Sequence, residues 1–196
     1  MLKTRTYILA AAALAAALTL SACTGGTAGT NGGGSSDTSN TPSASAANAA
    51  DVTFAQMMIP HHEQAVEMSE DVLAKDGVDQ RVVDLATQIK AAQDPEIKQM
   101  KSWLTAWGAD EDMSGMDHGS TGMMSDDDMM ALRDASGSEA NKVFLEQMTL
   151  HHEGAIAMAQ TELDAGENAD AKAMAQAIVT SQSAEIQYMK ELLATL

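Results

Sequence analysis

The sequence predicts an all-α protein, an antiparallel four-helix bundle built from two duplicated helical hairpins. Three observations predict it. Aromatic residues make up 3% of the 196 and prolines number 3, while Ala and Met are abundant, so helix formers dominate and the usual strand formers are scarce. The segment Phe54–Glu63, with Met57, Met58, His61 and His62, returns 90 positions on as Phe144–Glu153, with Met148, His151 and His152, and the match continues through Ala65/Ala155 and Met68/Met158. A second block, Ile89–Leu104, returns 89 positions on as Ile178–Leu193, repeating Gln93, Glu96, Ile97 and Met100 as Gln182, Glu185, Ile186 and Met189.

Residues 1–22 read as a leader rather than as part of the fold. Lys3 and Arg5 precede an apolar run from Tyr7 to Leu20, and Ser21-Ala22 supplies the small residues of a cleavage site. The run is shorter than the ~18–20 apolar residues of a membrane span. Leu20-Ser21-Ala22-Cys23 resembles the bacterial lipoprotein box, which implies lipidation at Cys23. Cys23 is the only cysteine, so no intramolecular disulfide is possible and no other thiolate is available to a metal. Residues 23–50, with Gly25-Gly26, Gly32-Gly33-Gly34 and many Ser, Thr and Asn, read as the anchor Cys and a flexible tether. The expected location is extracytoplasmic, held to the bacterial cell membrane by the lipid alone.

The folded part is expected over 51–196: a first hairpin at 51–108, an insert at 109–133 and a second hairpin at 134–196. Helices are predicted near 51–73, 79–107, 138–163 and 170–196. Short turns lie at Lys75-Asp76-Gly77 and at 164–168, and Gly108 acts as a helix stop. Ser136 with Glu139 forms the pattern of a capping box. Pro60 and Pro95 fall inside helices and predict local kinks or unwinding. Folded in hairpins about their turns, the helices stack into a bundle.

The formal net charge of −17 excludes a nucleic-acid binder, which needs cations to replace phosphate counterions, and suits a protein that attracts cations. Polar residues interrupt the apolar stripes at matched places. In the last helix Gln182 and Glu185 stand among Ile178, Met189 and Leu192; in the second helix Gln93 and Glu96 stand among Ile89, Met100 and Leu104. A buried Glu is costly unless paired, protonated or bound to metal. On the first helices, His61 and His62 flank the face of Phe54, Met58, Ala65 and Met68, as His151 and His152 flank that of Phe144, Met148, Ala155 and Met158, while Glu63 and Glu153 fall on the solvent side. Folding each hairpin about its turn sets His151 level with Gln182, Met148 level with Glu185, and His61 level with residues 91–93. A layer of His, Met, Gln and Glu follows, with Glu96 and Glu185 facing the metal or the histidines and Gln93 and Gln182 behind the ligands. A polar core layer, in which His and Glu satisfy one another, is the alternative. Imidazole with thioether and no thiolate selects copper, and the carboxylates leave iron or zinc open.

The insert holds Met113, Met116, Met123, Met124, Met129 and Met130, six of the 15 methionines, with His118 among Gly, Ser and Asp. It shows no helical stripe that would make them core. Met113, Met116, His118, Met123 and Met124 form a candidate accessory Cu(I) site, since thioethers need no deprotonation. The alternative is an acidic crossover whose methionines are accidental.

His61-His62-Glu63, after Met57-Met58-Ile59-Pro60 and before Ala65 and Met68, repeated as His151-His152-Glu153, resembles the domain of unknown function 305 family. That resemblance implies a ferritin-like four-helix bundle, export from the cytoplasm and, for some members, copper binding in the bacterial envelope. Carried onto this chain, it makes Met58, His61, His62, Met148, His151 and His152 candidate ligands. The expected function is copper sequestration, tolerance or transfer; no protein partner is indicated. Two rivals stand beside it, a ferritin-like metal oxidase and a structural bundle with polar core layers. The oxidase uses Glu-x-x-His on two helices, and Glu63, Glu96, Glu153 and Glu185 have no His three residues on.

Overall fold

Polar side chains mark where most of the helices begin. The computed structural model describes residues 46–111 and 122–196; the expected leader, Cys23 and most of its tether, and Met113, Met116 and His118 of the insert, lie outside them. Helix α1 (Ala49–Leu73) is capped by Asn48, whose Oδ1 accepts from the Ala50 and Asp51 backbone N–H at 2.7 and 3.1 Å while Asp51 accepts from the Asn48 N–H at 2.6 Å. Helix α2 (Gln80–Trp107) starts at Asp79, which accepts from the Arg81 N–H, and stops at Gly108 in the left-handed region, φ 68°. Both helices run on through Pro60 and Pro95 without the predicted unwinding.

The insert departs from expectation. Ser125 and Asp128 form a capping box, three Asp fill the first turn and Arg133 the last, so both ends complement the helix dipole of α3 (Asp126–Asp134). Met129 and Leu132, three residues apart, share its inner face and are buried, so Met129 is a core side chain and not part of an unstructured loop. A helix of nine residues offers one such pair, too short a pattern to register as a stripe. Helix α4 (Gly137–Ala165) begins at Ser136 without the predicted capping bond. Its first residue instead abuts the α1–α2 turn: a Cβ on Gly137 would lie 1.9 Å from the Asp76 carbonyl oxygen. Helix α5 (Ala169–Leu193) is capped by Asn168 and ends three residues before Leu196, which is exposed.

All five helices, and no strands among the described residues, form an α-bundle in which α1 packs on both α2 and α4, α4 packs on α5, and α2 and α5 scarcely meet. The core falls into two clusters that are repeat counterparts. Ala65, Met68, Ile89, Phe144, Met148 and Met189 in one correspond to Ala155, Met158, Ile178, Phe54, Met58 and Met100 in the other. Each cluster combines the start of one first helix with the end of the other, so α1 and α4 run antiparallel about a local two-fold axis.

Helix α3 breaks this symmetry. It covers the groove between the end of α1 and the start of α4: the Gln147 amide donates to the Asp128 carbonyl at 2.7 Å, and Arg133 pairs with Glu67 and Asp71. The counterpart groove, between the start of α1 and the end of α4, is lined by Ala50, Thr53, Phe54, Met57, Met158 and Glu162 and has a volume of about 490 Å³. No helix among the described residues covers it.

Candidate metal centre

The four motif histidines divide into two kinds. His61 and His151 are repeat counterparts, and their rings lie 3.7 Å apart between centroids with a tilt of 37°. Equivalent residues that touch must flank the axis relating them, so the local two-fold passes between these imidazoles. Both are buried, at 1% and 0% exposure. Neither ring nitrogen of His151 makes a well-formed hydrogen bond, the His61 backbone being the polar group that acts on the ring. Burial pushes its pKa well below the ordinary value; the charges that His61, His152 and His62 would carry act in the same direction, and the His61 backbone pulls weakly the other way. His151 is therefore neutral at physiological pH, with a lone pair to give.

His62 and His152 are outer histidines held by carboxylates. Nε2 of His62 lies 2.8 Å from Glu96 Oε2, and Nε2 of His152 lies 2.6 Å from Glu185 Oε2. A carboxylate acceptor draws the ring proton to Nε2, leaving Nδ1 as the bare nitrogen, and Nδ1 of each ring is buried without a partner. Glu96 and Glu185 are not buried in the stripe as expected, their side chains being 24% and 23% exposed, so solvent shares the cost of their charge. The predicted level pairs are also displaced: Glu185 meets His152 rather than Met148, and Glu96 meets His62. Helical side chains lean toward their own N-terminus, so across an antiparallel pair the residues that touch sit about one or two positions C-terminal to the level pair on each helix.

Met58 and Met148 lie about one helical turn before His61 and His151 and are fully buried, one in each core cluster, which makes their thioethers the nearest candidates in sequence to join the imidazoles. Gln93 and Gln182 are buried with their amide oxygens unpartnered. Among the described residues no three His, Cys, Asp or Glu side chains gather as a set able to hold a metal ion. A metal at the axis would thus need thioether ligands as well as imidazole, which is soft-metal chemistry. Glu63 and Glu153 point outward, as their helical position predicts, toward Lys101 at 2.7 Å and Lys190 at 3.5 Å. Met123 and Met124 are half-buried; Met124 packs on the core, and its N–H and C=O bond to the Gln64 side chain.

Residues 51–193, which contain both histidine pairs and both glutamates, match the family described as domain of unknown function 305 (DUF305). The chain belongs to the DUF305 family. Among solved structures, a DUF305 fragment from Deinococcus radiodurans is 30% identical, with a TM-score of 0.70 over 76% of this chain and 99% of its own. A DUF305 protein from Streptomyces coelicolor, proposed to be secreted, is 34% identical, with a TM-score of 0.68 over 74% of this chain and 91% of its own. CopM in its Cu(II)-bound form is 32% identical, with a TM-score of 0.65 over 74% and 96%, and CopM has also been solved with Cu(I) and with silver. A search of curated proteins finds no match. No helix among the described residues is long and apolar enough to cross a membrane.

Proposed function

We propose that this DUF305 protein binds copper outside the cytoplasm, as a lipoprotein anchored through Cys23, and holds the ion for sequestration, tolerance or transfer. One observation carries the proposal: His151 is fully buried at the axis with neither ring nitrogen in a well-formed hydrogen bond. A buried polar group without a partner costs stability, and an ion that takes its lone pair is one way to recover that cost. The donors such an ion could take at the axis are His61 and His151 with the thioethers of Met58 and Met148; Nδ1 of His62 and Nδ1 of His152 are donors to either side of it. Soft thioethers with imidazole favour Cu(I), whereas Cu(II), the harder ion, would depend more on the imidazoles than on the thioethers. Glu96 and Glu185 act by fixing the tautomer and direction of the outer histidines, a role that keeps them near the site without requiring them to touch the ion. The Met-rich insert, through Met113, Met116 and His118, serves as an accessory Cu(I) site. CopM, similar to this chain, binds copper and silver, and another relative is proposed to be secreted, which supports the metal and the location. Metal analysis of the protein isolated from its native envelope tests the reading. Copper at or above one ion per chain is the expected result; iron or zinc in its place, or no metal at all, would overturn it.

A further inference from the structure

Far from the histidines, the two hairpin turns solve the same problem with different chemistry. At the α1–α2 turn, Asn141 Oδ1 of α4 accepts from the backbone N–H of Asp79, the residue capping α2, at 3.0 Å. Its counterpart at the α4–α5 turn is Asp51 of α1, which accepts from the backbone N–H of Asn168, the residue capping α5, at 2.9 Å, and from that of Glu167 at 3.1 Å. The buried Val72, in the core cluster at the α1–α2 end, has Glu162 as its counterpart at the α4–α5 end. A neutral amide and an alkyl group therefore suffice at the α1–α2 end, and the α4–α5 end has two carboxyls instead. Both are buried, Asp51 at 0% and Glu162 at 1% exposure.

We propose that Glu162 and Asp51 share one proton and form a pH-sensitive tie between the first turn of α1 and the α4–α5 turn. Asp51 already accepts three backbone N–H bonds, from Asn48, Glu167 and Asn168, which fit a carboxylate. No N–H or O–H from any other described residue reaches either oxygen of Glu162. Glu162 Oε1 lies against Gly166, the residue before Glu167 and Asn168, whose N–H groups Asp51 accepts, so the same turn holds both carboxyls, and two carboxyls can bond only if one of them is the donor. Glu162 is that donor: burial, the hydrogen bond to Asp51 and the Asp51 charge raise its pKa to about 8. For Asp51 burial works upward, but the bonds from Asn48, Asn168, Glu162 and Glu167 prevail and lower it. The one cation acting on Glu162 is Lys172 of α5, whose Nζ bonds the Gly166 carbonyl at 3.1 Å; Asp164, Glu167 and Asp170 around the turn have exposed side chains. The turn closes tightly on the pair, since a Cβ on Gly166 would lie 2.1 Å from Glu162 Oε1. When the proton leaves, two buried carboxylates repel and the tie releases. Ala49, Ala50 and Thr53 of the tied turn also form the wall of the open groove, so its protonation governs that wall as well.

Carboxyl-detected NMR of the full chain from pH 5 to 9, with amide exchange at Glu167 and Asn168, tests the tie. Glu162 should titrate near 8, and both amides should exchange about tenfold faster across that step than the intrinsic pH dependence requires. Glu162→Gln, whose amide donates to Asp51 at every pH, should abolish the step, as should the double replacement Asp51→Asn with Glu162→Val that copies the α1–α2 end. Titration of Glu162 near 4.5, or exchange that follows the intrinsic line, would overturn the proposal. An unchanged step in folded Glu162→Gln would do the same. If the variants do not fold, the wild-type titration decides alone.

Discussion

His61 meets His151, its own counterpart in the other repeat, across the local two-fold axis at 3.7 Å between ring centroids. Each hairpin therefore contributes one ring to the centre, and each holds its second histidine, His62 or His152, against a glutamate of its own partner helix.

This division ranks the ligand variants. Glu185→Gln keeps an acceptor for His152 but lowers its basicity, and should weaken copper binding by about 10–100-fold with little change in melting temperature. His151→Ala should weaken it further, because it removes a donor at the axis. Competition titrations with Cu(I) and Ag(I) give the order; a smaller effect for His151→Ala than for Glu185→Gln would remove the axial pair from the site.

Stability of the metal-free protein should depend on pH through two groups of opposite sign. His151 stays neutral in the fold while the unfolded residue protonates below about 6.5, so its contribution is lost as pH falls from there, at up to about 1.4 kcal/mol per unit. Glu162 stays protonated in the fold while the unfolded residue ionises above 4.5, so its contribution is lost as pH rises toward about 8. Between 4.5 and 6.5 the two oppose each other. Denaturant melts should show Glu162→Gln steepening the acid loss and His151→Gln removing it.

Release of metal separates the donor types. Histidine must be neutral to coordinate, whereas a thioether has no proton to exchange, so Cu(II) should leave between about pH 7 and 5 while Cu(I) is retained. The measurement holds oxidation state fixed and corrects the competing chelator for its own protonation. Parallel loss of both ions would assign both to histidine and end the thioether assignment.

The short helix α3 should matter more to stability than its length suggests. Leu132 is fully buried, and Leu132→Ala should cost about 2–5 kcal/mol, whereas Met130→Ala, at an exposed position, should stay within about 0.5 kcal/mol. Equal effects in denaturant melts would mean that α3 is not docked in solution.

Replacing Met113 and Met116 by Ser, and leaving α3 intact, should lower Ag(I) stoichiometry at unchanged helicity. Unaltered stoichiometry would mean that the insert holds no metal.

The bundle was legible because duplication printed the same helical pattern twice, and the outward course of Glu63 and Glu153 followed from helix geometry alone. That Glu96 and Glu185 face histidines was legible too, but which histidine was not, because backbone level is only part of where a side chain reaches; the lean of each residue toward its own N-terminus brings Glu185 to His152 although Met148 is level with it. Helix α3 was hidden because Met129 and Leu132 are its only buried residues, and Met129 lies in a methionine-rich run that drew attention to ligation. Nor could spacing show which histidine of each pair faces the axis. One rule would have narrowed it: in a duplicated chain folded about a two-fold, a polar residue at the crossing point meets its own copy.

That crossing point has a genetic consequence. Duplicating one hairpin delivers both central imidazoles in a single event, already opposed, whereas an asymmetric site must collect its ligands one mutation at a time. The rim is then free to diverge while the centre stays matched. In this chain the two ends differ twice: α3 covers one groove and not its counterpart, and one end carries Asn141 and Val72 where the other carries Asp51 and Glu162. The two ends of a once-symmetric molecule can thus specialise without renegotiating the histidines between them.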